Sequence, residues 1–293
     1  MKKWSILFLA LTSTLSYART ITSSEIITST AVETEQLVIQ GSKANPIELT
    51  ITGENALLSM EIPSVPQYSL KMNNYSTITL EKGGSIDMNS PRYTDGGFQL
   101  NGYATLIIES DAGTLYTDKV AFTSDYAVLT INKANAIVAC SAKTPYVHLT
   151  LPSAGTINLN ASQAFSMDIR LNVAPTFKFA NGAVLSIMGW TNTRATCAMK
   201  LVDFVDNSIF LSDGDGAFVY RYEGNTLTVK RDGSTSEIAI LDANGNAYEG
   251  LELKATEGGF FLTSISAAVP EPAEWAVIFG AIALGLAVYR KRK

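Results

Sequence analysis

Leu129-Thr130-Ile131, Leu149-Thr150-Leu151 and Ile169-Arg170-Leu171 start at a regular interval of 20 residues, and eight residues after each start comes a second alternating pair: Ile137/Ala139, Ile157/Leu159 and Phe177/Phe179. Apolar residues at every second position define a strand with one buried face. Leu185/Ile187 continue the series downstream. Upstream, Leu49/Ile51 precede Leu57, and Leu70/Met72 precede Ile78/Leu80 and Ile86/Met88. Leu100 has its counterpart at Ile108, beside Leu106. The intervals between these upstream starts are 21, 30 and 29 residues, as expected if some turns carry an extra strand or a longer loop. Between residues 31 and 189 no stripe of helical period competes with the alternation.

A repeat near 20 residues with two or three strands per turn predicts an all-β chain wound as a parallel β-solenoid, or β-helix. Gly53-Glu54-Asn55, Gly83-Gly84, Ala112-Gly113, Ala154-Gly155 and Asn181-Gly182 supply the corners. An antiparallel sandwich also alternates and also turns at short intervals; the repeated period favours the solenoid. About seven rungs at ~4.8 Å each give a rod roughly 35 Å long. The clean interval predicts two interior columns, one of Leu129, Leu149 and Ile169 and one of Ile137, Ile157 and Phe177, with Thr150 facing outward.

After Phe204 the pattern changes. Short strand-like runs at 218–222, 227–229, 238–241, 251–253 and 260–262 are separated by Gly224-Asn225, Asp232-Gly233, Asn244-Gly245 and Gly258-Gly259. Such dipeptides are hairpin turns. They predict an antiparallel cap over 201–268, closing a solenoid of 19–200 whose last rung would otherwise expose strand edges.

Both ends read as addresses. Lys2 and Lys3, the apolar run 4–11 and the small residues Ser16 and Ala18 form a signal peptide over 1–18, cleaved between Ala18 and Arg19. Residues 275–289 carry no charge, begin with Trp275, and precede Arg290, Lys291, Arg292 and Lys293. Fifteen helical residues rise about 22 Å, short of the roughly 30 Å hydrocarbon core. Interfacial aromatics and the basic run nonetheless argue for a single C-terminal transmembrane helix, its tail cytoplasmic. Just before it stand Pro270, Glu271 and Pro272.

This order, Pro-Glu-Pro, then a short apolar helix opening with Trp-Ala, then a basic tail, resembles the PEP-CTERM sorting signal over residues 269–293. Ala273-Glu274 stand where the family more often has Ser-Thr. The resemblance implies recognition in the inner membrane by an exosortase, a transpeptidase-like membrane protein, with outward release of the body. It also implies exopolysaccharide as a companion. Two prolines keep the segment extended, so it enters a cleft without unfolding anything.

The body offers little chemistry. The chain is 46% apolar and 17% charged, which excludes a disordered tail, a collagen and a coiled coil. Residues 19–269 carry 25 acids against 16 bases, a poor balance for nucleic acid. Two Cys and one His exclude a disulfide scaffold and leave too few soft ligands for zinc. No cofactor is expected. His148 lies beside inward-facing neighbours with no nucleophile motif near it, so it reads as an idle surface histidine. Cys140 and Cys197 read as isolated thiols, with a bridge left open because Cys197 follows the last clear rung. Asp213-Gly214-Asp215-Gly216 could open a calcium loop but lacks its further ligands, and reads as a tight turn.

Asp87, Asp95, Glu109, Asp111, Asp118 and Asp125 do not fall at equivalent positions, and Arg92 and Lys119 are the only bases near them, which argues against a lyase or glycosidase pair. Tyr68, Tyr75, Tyr93, Tyr103, Tyr116, Tyr126 and Tyr146 could stack on sugar rings, but they are out of step with a 20-residue period and read as corner packing. The expected protein is a non-enzymatic structural or adhesive component, exported through the inner membrane to the cell surface or matrix. The alternative is a β-helical polysaccharide-binding or polysaccharide-degrading protein.

Overall fold

Residues 47–52 show how each strand is made. Ile47, Leu49 and Ile51 are buried while Glu48, Thr50 and Thr52 face out, so one strand lines the interior with its odd positions only. A computed structural model describes residues 18–62, 68–88, 97–140, 145–190 and 196–265. These form an all-β chain with long, mostly parallel sheets, wound as in a β-helix.

Five successive turns have three sides. The first consists of Arg19–Ile21, Glu25–Ile27 and Thr30–Glu33; the second of Leu37–Gln40, Ile47–Thr52 and Leu57–Met60. The third is Leu70–Asn73, Ser76–Glu81 and Ser85–Asp87, and the fourth Gly97–Leu100, Thr105–Ile108 and Leu115–Tyr116. The fifth is Lys119–Phe122, Val128–Ile131 and Ile137–Val138. Among the described residues the third side stops there. Three further turns have two sides: His148–Leu151 with Thr156–Leu159, Gln163–Ile169 with Thr176–Phe179, and Val184–Trp190 with Thr196–Val202.

The interior columns differ from those expected. On the second side Leu49, Ile78, Leu106, Leu129, Ile157, Phe177 and Leu201 stack in register. Leu149 belongs to the first side, between Val120 and Met167, and Ile169 sits on Leu151. Ile137 stacks on Leu115 on the third side. Of the predicted neighbours only Ile157 and Phe177 meet. The interval of 20 between residues 129 and 149 leads from the second side of one turn to the first side of the next. It does not measure a turn, which spans 28 residues from Ile78 to Leu106 and 23 from there to Leu129.

Thr150 is a second correction. It is buried, as are Ala121, aligned with it in the preceding turn, and the outward Ser166, aligned with His148 in the following one, so the middle of the first side is covered on its outer surface as well. Alternation predicts which way a side chain points but not whether something lies over it.

Parallel pairing also runs past the boundary expected at 200. Thr196–Val202 continues the second side, Ser208–Ser212 pairs parallel with Val184–Trp190, and Ser234–Leu241 pairs parallel with Thr196–Val202. The antiparallel cap is then two units on two sides. Val219–Glu223 and Thr226–Arg231 extend the second side, while Leu251–Thr256 and Gly259–Ser264 extend the first. Between them Tyr220 accepts a hydrogen bond from Trp190 Nε1 at 3.2 Å and donates to the Ser212 carbonyl at 2.8 Å. Phe204 packs edge-on to Phe179 and to Tyr248 in the same end of the core.

Candidate functional site: a tyrosine ladder on one corner

The corner leading from the first side to the second has to turn within a few residues, turn after turn. In the third turn Asn74 and Tyr75 both adopt left-handed backbone, at φ 27° and 46°, a conformation seldom held by a bulky residue. In the fourth, Gly102 takes that role at φ 61°, and its N–H bonds the Asn101 side chain at 2.8 Å. The Asn101 amide donates to Asn73 Oδ1 of the preceding turn at 3.3 Å. In the fifth, the Tyr126 N–H donates to Ser124 Oγ at 3.2 Å. The Asp125 carboxylate accepts the Ala154 N–H of the following turn at 2.8 Å.

These corners bring Tyr75, Tyr103 and Tyr126 into line. Each lies two residues before the paired positions Thr77, Thr105 and Val128. The rings of Tyr75 and Tyr103 stack with centroids 4.6 Å apart and planes 12° from parallel; those of Tyr103 and Tyr126 do so at 4.5 Å and 15°. Turns of a parallel coil are spaced by the inter-strand distance, roughly 4.8 Å, which is also a stacking distance for aromatic rings. Like residues at one corner therefore stack of necessity. Tyr103 is 44% exposed and Tyr126 62% exposed. The expectation that these tyrosines are out of register fails because the period was wrong. Their own intervals of 28 and 23 residues match Ile78 to Leu106 to Leu129, and that match was the signal available in the sequence.

The ladder ends at Tyr126. The next aligned corner positions, two residues before Thr156 and Thr176, hold Ala154 and Ala174. A Cβ at Gly155 would come within 2.2 Å of Phe122 Cδ1, so position 155 faces the interior and Ala154 faces out. Thr156 and Asn158 continue outward along the same strand, and the Asn158 amide donates to Thr130 Oγ1 at 3.0 Å.

The other singled-out residues are dispersed among structural tasks. Asp111 Oδ1 accepts the Lys82 N–H at 3.0 Å, and Glu109 accepts from Asn132 at 2.9 Å, both on the corner after the second side. Asp118 is buried, and its Oδ1 accepts the Cys140 N–H at 3.0 Å while its carbonyl accepts the His148 N–H at 2.8 Å. Burial first, then the Asp118 and Asp87 carboxylates, push the Cys140 thiol up to about 12. Of the five described acids, then, Asp87 and Asp118 share a corner, while Glu109, Asp111 and Asp125 sit elsewhere.

His148 is half-buried on the first side, aligned with Lys119 and Ser166. Lys119 Nζ lies 5.4 Å from the Tyr68 ring centroid. Cys140 and Cys197 are both free thiols. The Asp213 carboxylate accepts the Asp215 N–H at 3.1 Å within its own turn. Among the described residues no cluster of His, Cys, Asp or Glu is arranged to hold a metal. Asp95, Arg92 and Tyr93 lie outside the described residues, as do Pro270, Glu271, Pro272, Trp275, Arg290, Lys291, Arg292, Lys293 and nearly all of the signal segment. No described helix is long and apolar enough to cross a membrane.

The fold defines the class as a β-helix-like all-β protein with an aromatic ladder on one corner. No protein-family model and no curated protein matches the chain.

Proposed function

We propose that the chain is an exported, non-enzymatic structural or adhesive protein of a bacterial cell surface or extracellular matrix. It is delivered by a PEP-CTERM/exosortase-type system and retained only in transit by its C-terminal helix. The observation that carries this reading is the tripartite tail: Pro270-Glu271-Pro272, the uncharged 275–289 segment, and the four bases that follow. The body supports it. A coil whose polar residues are absorbed in corner hydrogen bonds is a rigid spacer with a long lateral surface. Threonines such as Thr77, Thr79, Thr105, Thr156 and Thr176 line its second side. Arg19, the expected first residue after cleavage, opens the first strand and pairs with Glu33 and Glu25.

A helix too short to be a firm anchor, joined to a strong stop-transfer cluster, fits a segment that pauses in the membrane until it is processed. Changing Pro270 and Pro272 to Ala should leave insertion intact and block processing, so that full-length protein accumulates in the inner membrane. A plain single-span anchor predicts that the double variant is sized and distributed like the wild type. Fractionation with intact-mass measurement separates the two, and the second result defeats the sorting reading.

A further inference from the structure

We propose that the open end of the tyrosine ladder, the Tyr126 ring with the recess over Ala154, binds a pyranose ring of a neutral, gluco-configured polysaccharide. The inference goes beyond the sorting reading and is independent of it, because it concerns the body alone.

Stacked rings cover one another. Tyr103 has a neighbour on each face, so its faces are closed to any ligand, and its remaining exposure is at the ring edge. Tyr126 has a partner on one side only. On the other, the corner site that would hold the next ring holds the Ala154 methyl, and the one beyond it Ala174. The coil therefore leaves a notch, open across the two turns that carry Ala154 and Ala174 at roughly 4.8 Å each, beside a ring that the ladder holds flat. The first of these turns has room for one six-membered ring stacked on Tyr126. The two tyrosines behind fix the orientation of the ring before anything binds, so little ordering is lost on binding.

The notch selects its occupant by chemistry. A ring face carries negative charge density and attracts C–H groups. A pyranose with equatorial hydroxyls presents axial C–H bonds on its faces and directs its hydroxyls to the rim. At that rim Thr156 and Thr176 stand at aligned, half-buried outward positions, with the Asn158 amide one outward position further along. Apolar walls with a few placed polar groups are the usual make-up of a ligand site. A polyanion is disfavoured, since residues 19–269 carry 25 acids against 16 bases and Asp125 adjoins the ring.

The test is affinity electrophoresis of the full chain in mild detergent through gels containing a soluble mixed-linkage β-glucan, with alginate as the anionic comparison. The wild type should be retarded by the β-glucan and not by alginate. Tyr126→Ala should weaken the retardation about tenfold or more. Ala154→Leu sets a branched aliphatic side chain against the open Tyr126 face, offers no new ring face in its place, and should abolish binding while the thermal midpoint stays near that of the wild type. This second variant keeps the test decisive if removal of Tyr126 disturbs the corner. Wild-type protein unretarded by the β-glucan, stronger retardation by alginate, or undiminished binding by Ala154→Leu would each overturn the proposal.

Discussion

The side chain of Gln163 takes the place of a missing strand against Ile137. Its Oε1 accepts the Ile137 N–H at 3.1 Å and its Nε2 donates to the Ile137 carbonyl at 2.9 Å. The third side of the coil ends at Ile137–Val138, and the next turn passes directly from the second side to the first. A last strand in a buried corner would leave an unpaired N–H and C=O, each costing ~1–3 kcal/mol. One amide side chain satisfies both. Gln163→Leu, similar in size and without polar atoms, should therefore destabilise the protein by about 2 kcal/mol or more, read as a lower urea midpoint. An unchanged midpoint would show that the pairing contributes nothing.

Thr150 and Leu149 should behave alike, although alternation places them on opposite faces. Leu149 is fully buried and Thr150 is 6% exposed. An Asp at either position buries a charge, and each variant should lose several kcal/mol or fail to fold. Lys178, exposed on the second side, should tolerate Ser within about 0.5 kcal/mol. Denaturant titration of the three variants checks the order, and a mild effect at Thr150 would mean that the first side is bare.

Gly155 is required for a reason that its turn position does not disclose. The Cβ of an alanine there would meet Phe122 Cδ1 at 2.2 Å and the Ala127 carbonyl oxygen at 3.0 Å. Gly155→Ala should cost ~1–3 kcal/mol through this overlap. Phe122→Leu should recover part of that loss when the two are combined, a coupling that a double-mutant cycle would register.

The two thiols make alkaline stability a further test. Burial pushes both Cys140 and Cys197 up to about 12, with Asp118 and Asp87 adding to the effect at Cys140. The folded state therefore holds these protons after the unfolded state has begun to release its own, near pH 8.5. Their contribution is complete below that pH and declines as pH rises toward 12, so the thermal midpoint should fall across this range. The Cys140→Ser, Cys197→Ser double variant should fall less steeply. At pH 8 neither thiol should react with a disulfide reagent until denaturant is added, because the thiolate is the reactive form.

Alternation was legible at most positions but not all: Leu171 is 59% exposed, and Leu58 takes the inward place expected of Leu57. Leu49, Ile78, Leu106, Leu129, Ile157 and Phe177 are assigned inward by the pattern alone, and all six are buried. The all-β class and the antiparallel strands after residue 212 follow from the same local signals, period-two patterning and Gly-containing turns. Local pattern also carries the likeness of residues 269–293 to a sorting signal, since a tripartite tail is linear.

What tertiary structure alone decided is which strand lies on which. Parallel neighbours are a full turn apart in the chain, and the length of that turn depends on corners and on whether the third side exists. Leu129 and Leu149 look equivalent in sequence yet line different sides. Conversely Tyr75, Tyr103 and Tyr126 look irregular yet stack ring on ring. The Gln163 side chain reads as an ordinary polar residue until Ile137, 26 positions earlier, is seen to end a sheet beside it. A period of two specifies the direction of each side chain, but register between distant strands is a three-dimensional property, set by the paths that join them.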